Sequence, residues 1–247
     1  MRRKARQATS PQNRPRFWGR HAVSAALANP ERRIVHIWVS RDTAPHFDFP
    51  AGVPVTYAEA ADLARHVPKD APHQGIVAEV ERLPDILLAD LLEEAEDARP
   101  LLVLDQVTDP HNVGAILRSA AAFDALALVT QDRHAPPESG ALAKSASGAL
   151  ETVPWVRVVN LSRALDEMAE AGFWRIGLTG DAEMTLQEAL GPRRVALVLG
   201  AEGEGMRQNT EQHCDALARL PIGGQMESLN VSNAAAIALY AAATHNG

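Results

Sequence analysis

Three short polar stretches in the second half of the chain carry the residue types that could bind a ligand or catalyse a reaction. Each follows a run of apolar residues and places Asn, Arg, Glu or Ser beside glycine or a tight turn. They are Asp-Pro-His-Asn-Val-Gly-Ala-Ile-Leu-Arg-Ser at 109–119, Gly-Ala-Glu-Gly-Glu-Gly-Met at 200–206 and Glu-Ser-Leu-Asn-Val-Ser-Asn at 227–233. Polar residues at strand ends are typical of a ligand site in an open α/β sheet, so the three stretches predict one composite site.

The first stretch has the residue types to hold an anionic or polar group. Pro110 favours an extended or turn conformation just before a helix, which leaves Asn112 near the helix N-terminus. Backbone amides at that position, together with Asn112, can hold a negative charge, and the guanidinium of Arg118 suits a phosphate. The structural alternative is that Asn112 only caps the helix and Arg118 only lies on its surface.

The second stretch is a glycine-rich loop with two carboxylates. Gly200, Gly203 and Gly205 do not have the spacing of a dinucleotide-binding GxGxxG, and no Lys-Ser/Thr pair follows as in a phosphate-binding P-loop. Glu202 and Glu204 would repel a pyrophosphate, so the loop better suits a neutral or cationic ligand held through backbone groups. A tight strand-to-helix turn is the alternative.

The third stretch crowds polar groups at the start of the last helix. Gly223 and Gly224 permit a tight bend, and Ser228, Asn230 and Ser232 follow it. Helix capping alone does not need so many polar side chains. Polar groups that are buried need hydrogen-bond partners, so these residues are candidates for a binding site.

The elements that would position these residues form a parallel sheet with helices on both faces. Continuous Val, Leu and Ile runs alternate with helix-like stretches, a pattern typical of this α/β class. The runs lie at 101–104, 126–129, 155–159, 173–178 and 195–199, and the helical stretches at 113–123, 161–171 and 206–215. An alanine-rich helix capped by Ser228 or Asn230 is predicted at 230–243.

The front of the chain divides into three parts. Residues 1–16 are basic, polar and aperiodic, which predicts a disordered arm. Residues 17–80 predict a small α/β domain, residues 81–100 a linker helix, and residues 101–247 the large domain. Within the small domain, helices are expected at 22–28 and 58–67, and strands at 34–40, 53–57 and 75–80.

Composition limits the class of protein. The 247 residues are 46% hydrophobic and 22% charged, an ordinary globular balance. No apolar run reaches the roughly 18 residues of a membrane span. Cys214 is the single cysteine, which excludes an internal disulfide and leaves no cysteine cluster for a metal. With no export signal at the N-terminus, these features predict a cytoplasmic protein.

Charge is distributed unevenly along the chain. Residues 1–41 hold ten Lys and Arg and one acid, whereas residues 42–247 hold fourteen Lys and Arg and thirty acids. A basic arm on an acidic body is typical of proteins that bind a polyanion through the arm. The alternative is a solvated segment that only keeps the protein in solution.

Together the three stretches resemble the motifs of the SpoU-type RNA 2′-O-ribose methyltransferases, the TrmH-like branch of the knotted SPOUT superfamily. The match is in order, with proper spacing, from Leu101 to the C-terminus. Gly-Arg-His-Ala-Val at 19–23 and His-Gln-Gly-Ile-Val at 73–77 resemble the ends of the small substrate-binding domain of the 23S rRNA guanosine-2′-O-methyltransferases.

The resemblance implies transfer of a methyl group from S-adenosylmethionine to the ribose 2′-OH of a nucleotide, a guanosine, in 23S ribosomal RNA. It also implies a parallel-sheet domain with a deep trefoil knot, an L30e-like small domain, a homodimer, and neither a metal nor a membrane. Only the resemblance supplies the knot, because knots are nearly absent among folds. The sulfonium cation of the donor suits the acidic, glycine-rich loop.

The resemblance also assigns residues. It carries donor binding, mainly through backbone groups, over to Thr179, Gly180, Gly200, Ile222 and Leu229. It places Asn112, Arg118, Glu202, Ser228 and Asn230 on the family's catalytic polar positions.

Three other functions fit the sequence less well. A tRNA ribose methyltransferase of the same family would not need the small domain at 17–80. A catalytically silent RNA-binding or ribosome-assembly protein would not need all the polar motif residues. A nicotinamide-dependent dehydrogenase would need a dinucleotide fingerprint, which the chain lacks.

Overall fold

The computed structural model describes residues 14–95, 98–223 and 228–245. Three sequence-based expectations therefore fall partly outside the described residues: most of the basic arm, part of the predicted linker, and the Gly224–Glu227 portion of the third stretch. Within the described ranges the chain forms one four-stranded and one six-stranded sheet.

The small unit is built on the four-stranded sheet, whose strands follow the order β1-β4-β2-β3. β4 pairs antiparallel with β1 and β2, and β2 pairs parallel with β3. Its elements are β1 (Arg16–Trp18), α1 (Arg20–Ala28), β2 (Ile34–Val39), β3 (Val55–Tyr57), α2 (Ala60–Leu63) and β4 (Ile76–Val80). β1 begins at Arg16, one residue before the small domain expected at 17–80, and the carbonyl of Pro15 accepts Val80 N–H at 3.0 Å.

The large unit is the predicted parallel sheet with helices on both faces. Its strand order is β10-β8-β9-β5-β6-β7, and all neighbouring pairs are parallel. Its helices are α3 (Leu88–Glu94), α4 (Pro110–Ala122), α5 (Gly140–Ala146), α6 (Leu161–Glu170), α7 (Leu186–Ala189), α8 (Gln208–Glu211) and α9 (Val231–His245). Its strands are β5 (Leu101–Asp105), β6 (Ala127–Gln131), β7 (Trp155–Val158), β8 (Phe173–Leu178), β9 (Arg194–Gly200) and β10 (Ala216–Ala218). The expected α/β class is confirmed, but the helix expected at 206–215 is only the short α8.

The helix that carries the first motif begins earlier than expected. α4 starts at Pro110, and the side chain of Asp109 caps it by accepting His111 N–H at 2.9 Å. Proline suits this position because its missing N–H would have no partner inside the helix. Gly114 lets α4 approach α5 closely, since a Cβ there would lie 2.6 Å from the carbonyl oxygen of Leu142.

The two units share one hydrophobic core. Buried residues of the small unit, such as Phe17 and Val23, belong to the same cluster as Leu142 and Leu150 of the large unit. Where the two units meet, which we call the seam, Trp18 packs closely on Gly140. A Cβ on Gly140 would lie 1.8 Å from the indole ring. The units are therefore packed together rather than joined only by a linker.

A buried charge network also crosses this seam. The Arg32 guanidinium lies 2.7 Å from Glu138 and 2.9 Å from Glu151, and the exposed fraction of all three side chains is 4% or less. Asn29 donates its amide N–H to Glu151 at 2.8 Å. Burial alone would lower the pKa of Arg32, but Glu138 and Glu151 raise it overall, so the guanidinium stays charged.

The single cysteine lies behind the second motif. Cys214 is half-buried, and its Sγ donates to the carbonyl of Thr210 at 3.4 Å. Burial raises the pKa of its thiol to about 12. Since only a thiolate is a good nucleophile, Cys214 is not suited to covalent catalysis at neutral pH.

Candidate functional site

The three motif stretches meet at the carboxyl edge of the parallel sheet. Asn230 Nδ2 donates to Asn112 Oδ1 at 3.1 Å and also to Glu202 Oε1. Asn112 Nδ2 donates to the same Glu202 oxygen at 3.3 Å, and the backbone N–H of Val231 does so at 3.2 Å. One carboxylate oxygen of the β9–α8 loop thus joins residues from the first turn of α4 and the start of α9. We call Asn112, Glu202 and Asn230 the polar cluster.

Asn230 links the polar cluster to the last helix. Its Oδ1 accepts the backbone N–H of Ser232 at 2.9 Å, which is the hydrogen bond of a helix cap. The other half of the same amide, Nδ2, points to Asn112 and Glu202. Capping therefore fixes which end of the amide faces the polar cluster.

A partly buried ion pair holds the glycine-rich loop in place. Asp105, which is fully buried at the end of β5, accepts the backbone N–H of Arg207 at 3.0 Å and its Nε–H at 2.9 Å. Thr210 Oγ1 donates to the same carboxylate at 2.7 Å. Sequence reasoning missed this support, although the acid that directly follows the apolar run 101–104 was a signal.

The loop after β9 is tightly closed by its own backbone. Ala201 and Gly205 exchange hydrogen bonds of 3.1 and 2.9 Å. A Cβ on Gly200 would lie 2.0 Å from the carbonyl carbon of Gly205. Glycine at position 200 is thus required by the loop itself, before any ligand is considered.

The residues expected to bind a donor lie along the same sheet edge. Thr179 and Gly180 follow β8, Gly200 ends β9, and Ile222 follows β10. The backbone N–H of Thr179 donates to Ala218 O at 3.0 Å, which ties the ends of β8 and β10 together. Ile222 is 37% exposed and Leu229, which precedes α9, is half-buried. This region combines backbone groups with accessible apolar side chains.

Two expected residues are not part of the polar cluster. Arg118 is exposed and makes no hydrogen bond or ion pair with any residue of the described ranges. It follows Asn112 by six residues, which places the two about 120° apart around α4. Ser228 is exposed and likewise has no hydrogen-bond partner in the described part of the chain.

Other kinds of site find no support in the described residues. No group of three or more His, Cys, Asp or Glu side chains there is arranged to hold a metal ion. Among these residues no helix has both the length and the apolar character needed to cross a membrane.

Comparisons with known proteins bear on both units. The family model described as the SpoU rRNA Methylase family matches residues 99–240. The model described as RNA 2′-O ribose methyltransferase substrate binding matches residues 17–85. A 23S rRNA (guanosine-2′-O-)-methyltransferase, RlmB, of Ralstonia nicotianae is 43% identical over 237 residues, which cover 91% of this chain and 93% of that protein.

Solved structures show the same overall fold. A putative RNA methyltransferase of the TrmH family from Porphyromonas gingivalis is 26% identical, with a TM-score of 0.77 over 93% of this chain and 89% of that one. An AdoMet-bound rRNA methyltransferase from Sinorhizobium meliloti is 21% identical, with a TM-score of 0.79 over 95% of this chain and 88% of that one.

Proposed function

This chain belongs to the SpoU rRNA methylase family, and we infer that it transfers a methyl group from S-adenosylmethionine to the ribose 2′-OH of a guanosine in 23S rRNA. The relative from Ralstonia nicotianae, which aligns over nearly its whole length, carries this activity in its name. The structural observation that carries the inference is the convergence of three distant motif loops in the polar cluster. We further propose that the protein acts in the cytoplasm.

The donor is proposed to bind at the carboxyl ends of β8, β9 and β10. Backbone groups of Thr179, Gly180 and Gly200, with Ile222 and Leu229, would hold its nucleoside and amino-acid parts. The acidic loop fits this ligand because a carboxylate attracts a sulfonium cation. When bound, the donor supplies an electrophilic methyl group.

Variants at two glycines would separate a loss of donor binding from a loss of loop stability. A Cβ on Gly223 would have no atom of the described residues within 4 Å, whereas Gly200 is packed on its own loop. We expect Gly223→Val to weaken donor binding at least tenfold by calorimetry, with an unchanged melting temperature, because its side chain would occupy ligand space. Gly200→Val should lower both donor affinity and melting temperature. Wild-type donor affinity in Gly223→Val would contradict this placement.

The acceptor ribose is proposed to sit on the polar cluster. Transfer is an in-line displacement, so O2′ must be aligned behind the methyl carbon. Glu202 Oε2 has no hydrogen-bond partner in the described part of the chain and could accept a ribose hydroxyl, while Asn112 and Asn230 hold Oε1. Ser228 is exposed beside this cluster and would contact the same sugar.

Arg118 is proposed to bind the adjacent phosphate and stabilise negative charge that develops on O2′. The alternative, in which Arg118 removes the 2′-OH proton, is costly, because a guanidinium is rarely deprotonated in a protein. In our mechanism water takes the proton.

The small unit is the basis for choosing between rRNA and tRNA as the substrate. Residues 17–85 match the substrate-binding model, which favours an L30e-like RNA-binding domain and rRNA over the tRNA alternative. The basic arm would add sequence-independent phosphate contacts.

The knot is proposed from the path of the chain after β10. β10 lies at the edge of the sheet, but α9 returns to its middle, where it packs on α4 and β9. The connection is tied to the glycine-rich loop, because Val231 N–H donates to Glu202. Such a return path is what a trefoil knot in this segment would require.

The homodimer is proposed through α9. Its inner face is buried, but Ile237 is 44% and Tyr240 58% exposed on the other side. Two large apolar side chains one turn apart favour a partner surface. Since Arg118 does not contact the polar cluster of its own chain, we propose that each site draws residues from both subunits.

Breaking this face should separate the subunits. We expect the double variant Ile237→Asp with Tyr240→Asp to be monomeric by light scattering at micromolar concentration, and inactive, because two buried carboxylates would oppose association. Tyr57→Asp is the control, since Tyr57 is 59% exposed on the small unit. A wild-type protein that is monomeric and fully active would rule the dimer out.

The reaction itself is tested with labelled donor and 23S rRNA from a strain that lacks the enzyme. We expect label to enter the rRNA and ribose-methylation mapping to place it on one guanosine. Methyl transfer to tRNA alone would support a tRNA ribose methyltransferase. RNA binding without methyl transfer would support a catalytically silent RNA-binding protein.

A further inference from the structure

Two short sequences of the small unit meet the large unit beside the polar cluster. Gly-Arg-His at 19–21 and His-Gln-Gly at 73–75 both reach α5. Gln74 Oε1 accepts the backbone N–H of Arg20 at 3.0 Å and the ammonium of Lys144 at 2.9 Å. Gly19 leaves room for this arrangement, because a Cβ there would lie 2.4 Å from Lys144 Nζ. We call Arg20, Gln74 and Lys144 the seam patch.

The backbone at Gln74 is strained. Its φ is 54°, in the left-handed region that residues with a side chain rarely adopt. Such a conformation persists only where the surroundings impose it, and it is concentrated at binding sites. In this conformation the Gln74 side chain faces Lys144, whose ammonium donates to Gln74 Oε1 at 2.9 Å.

The cations of the seam patch are not neutralised. Neither Arg20 nor Lys144 forms an ion pair with a residue of the described ranges. Several other arginines of the small unit have carboxylate partners, although exposed Arg41 does not within the described residues. The pairs are Arg14 and Arg16 with Glu79, Arg33 with Glu81, and Arg65 with Asp62. In a chain of net charge −7, a lysine held by an uncharged amide next to an exposed arginine marks a local site for an anion.

The seam patch continues into the polar cluster. Ser145 follows Lys144 on α5, and its hydroxyl lies 3.1 Å from His111 Nδ1. His111 precedes Asn112 in the first turn of α4. A ligand that contacts these residues would extend from the small unit to Asn112 of the polar cluster, passing the Asp109 carboxylate that caps α4.

We propose that Lys144 and Arg20 bind a phosphodiester of the substrate RNA near the nucleotide whose ribose enters the polar cluster. Gln74 is the positioning residue that holds Lys144. This inference rests on the proposed function for the identity of the RNA, but its central claim concerns phosphate binding at the seam. The small unit and the large unit would then share one substrate contact.

Charge-removing variants test the phosphate contact. RNA dissociation constants of the full-length protein would be measured across salt concentrations for Lys144→Gln, Arg20→Gln and the control Lys69→Gln, which removes an exposed lysine elsewhere on the small unit. We expect each seam variant to weaken RNA binding several-fold and to reduce the log–log salt slope by about 0.7 to 1 for each phosphate interaction that is removed. Lys69→Gln should bind RNA with the affinity and salt slope of the wild type, and the donor affinity of the two seam variants should be unchanged.

Gln74 variants separate positioning from folding. Gln74→Ala should raise KM for RNA with little change in salt slope, since both cations remain. Gln74→Glu should neutralise Lys144 and lower the slope as Lys144→Gln does. A purely structural role would lower the melting temperature of both variants and leave their salt slopes equal.

The outcomes are distinguishable from those of the proposed function. If the wild type methylates 23S rRNA but both seam variants keep its affinity and salt slope, the seam site is overturned and the function stands. An equal loss in Lys69→Gln would also overturn it. If the wild type methylates no RNA, the function fails, and salt slopes measured with an rRNA fragment still decide the seam site.

Discussion

Arg118→Ala is expected to lower the single-turnover rate of methyl transfer by about 10²–10³-fold, because it removes the cation proposed to stabilise charge on O2′ and the adjacent phosphate. Arg118→Lys should retain part of the rate, since the charge remains but the planar fork is lost. The rate would be measured with labelled donor at saturating protein.

The pH dependence of the transfer rate in Arg118→Lys separates charge stabilisation by Arg118 from removal of the 2′-OH proton by Arg118. If Arg118 stabilises charge, the pH–rate profile should keep the shape of the wild type. Loss of the basic limb with intact RNA binding would instead support arginine as the base. Arg163→Ala is the control, because Arg163 is an exposed arginine on α6 whose ion-pair partner among the described residues is Glu167, at 3.0 Å.

Mixing two inactive variants should test whether sites are shared. In a dimer whose sites combine both subunits, Arg118→Ala mixed with Glu202→Gln forms heterodimers with one intact site. Random exchange of subunits would then restore about a quarter of wild-type activity. No recovery after verified exchange would place both residues of a site in one chain.

Arg32→Ala is expected to cost about 3–5 kcal/mol of unfolding free energy, because it leaves Glu138 and Glu151 buried without their cation. For a protein of this size the melting temperature should fall by about 10 °C. Calorimetry or circular dichroism during heating measures the change. Arg33→Ala is the matched control, because Arg33 is the next residue and its side chain is 62% exposed. Equal losses in the two variants would refute the role of the buried network.

Much of the fold is accessible to sequence reasoning because burial leaves a clear pattern. Residues of β5 and β9 are buried on both faces of the sheet, so both strands form continuous apolar runs. The rule that parallel strands end at one edge then predicts that the three motif stretches meet. The meeting of Asn112, Glu202 and Asn230 follows this expectation, while their catalytic role stays a prediction.

What sequence reasoning missed depends on contacts between distant residues. β10 has only Ala-Leu-Ala, and its strand conformation comes from pairing with β8. Asp105 and Arg207 are 102 residues apart, so no local pattern could join them. Likewise, the direction in which Arg118 points depends on how α4 packs on its neighbours, which its local sequence does not specify.

The shared core at the seam has a consequence for how a target is chosen. A hinge between the two units would let the small unit close on RNAs of many shapes. The packing of Trp18 on Gly140 and the buried ion pairs of Arg32 hold the two units together and oppose such a motion. The distance from the small unit to the polar cluster is therefore fixed by the packing of the protein and does not adjust to the RNA. Selection then falls to the folded shape of the RNA, which must present one ribose at that separation.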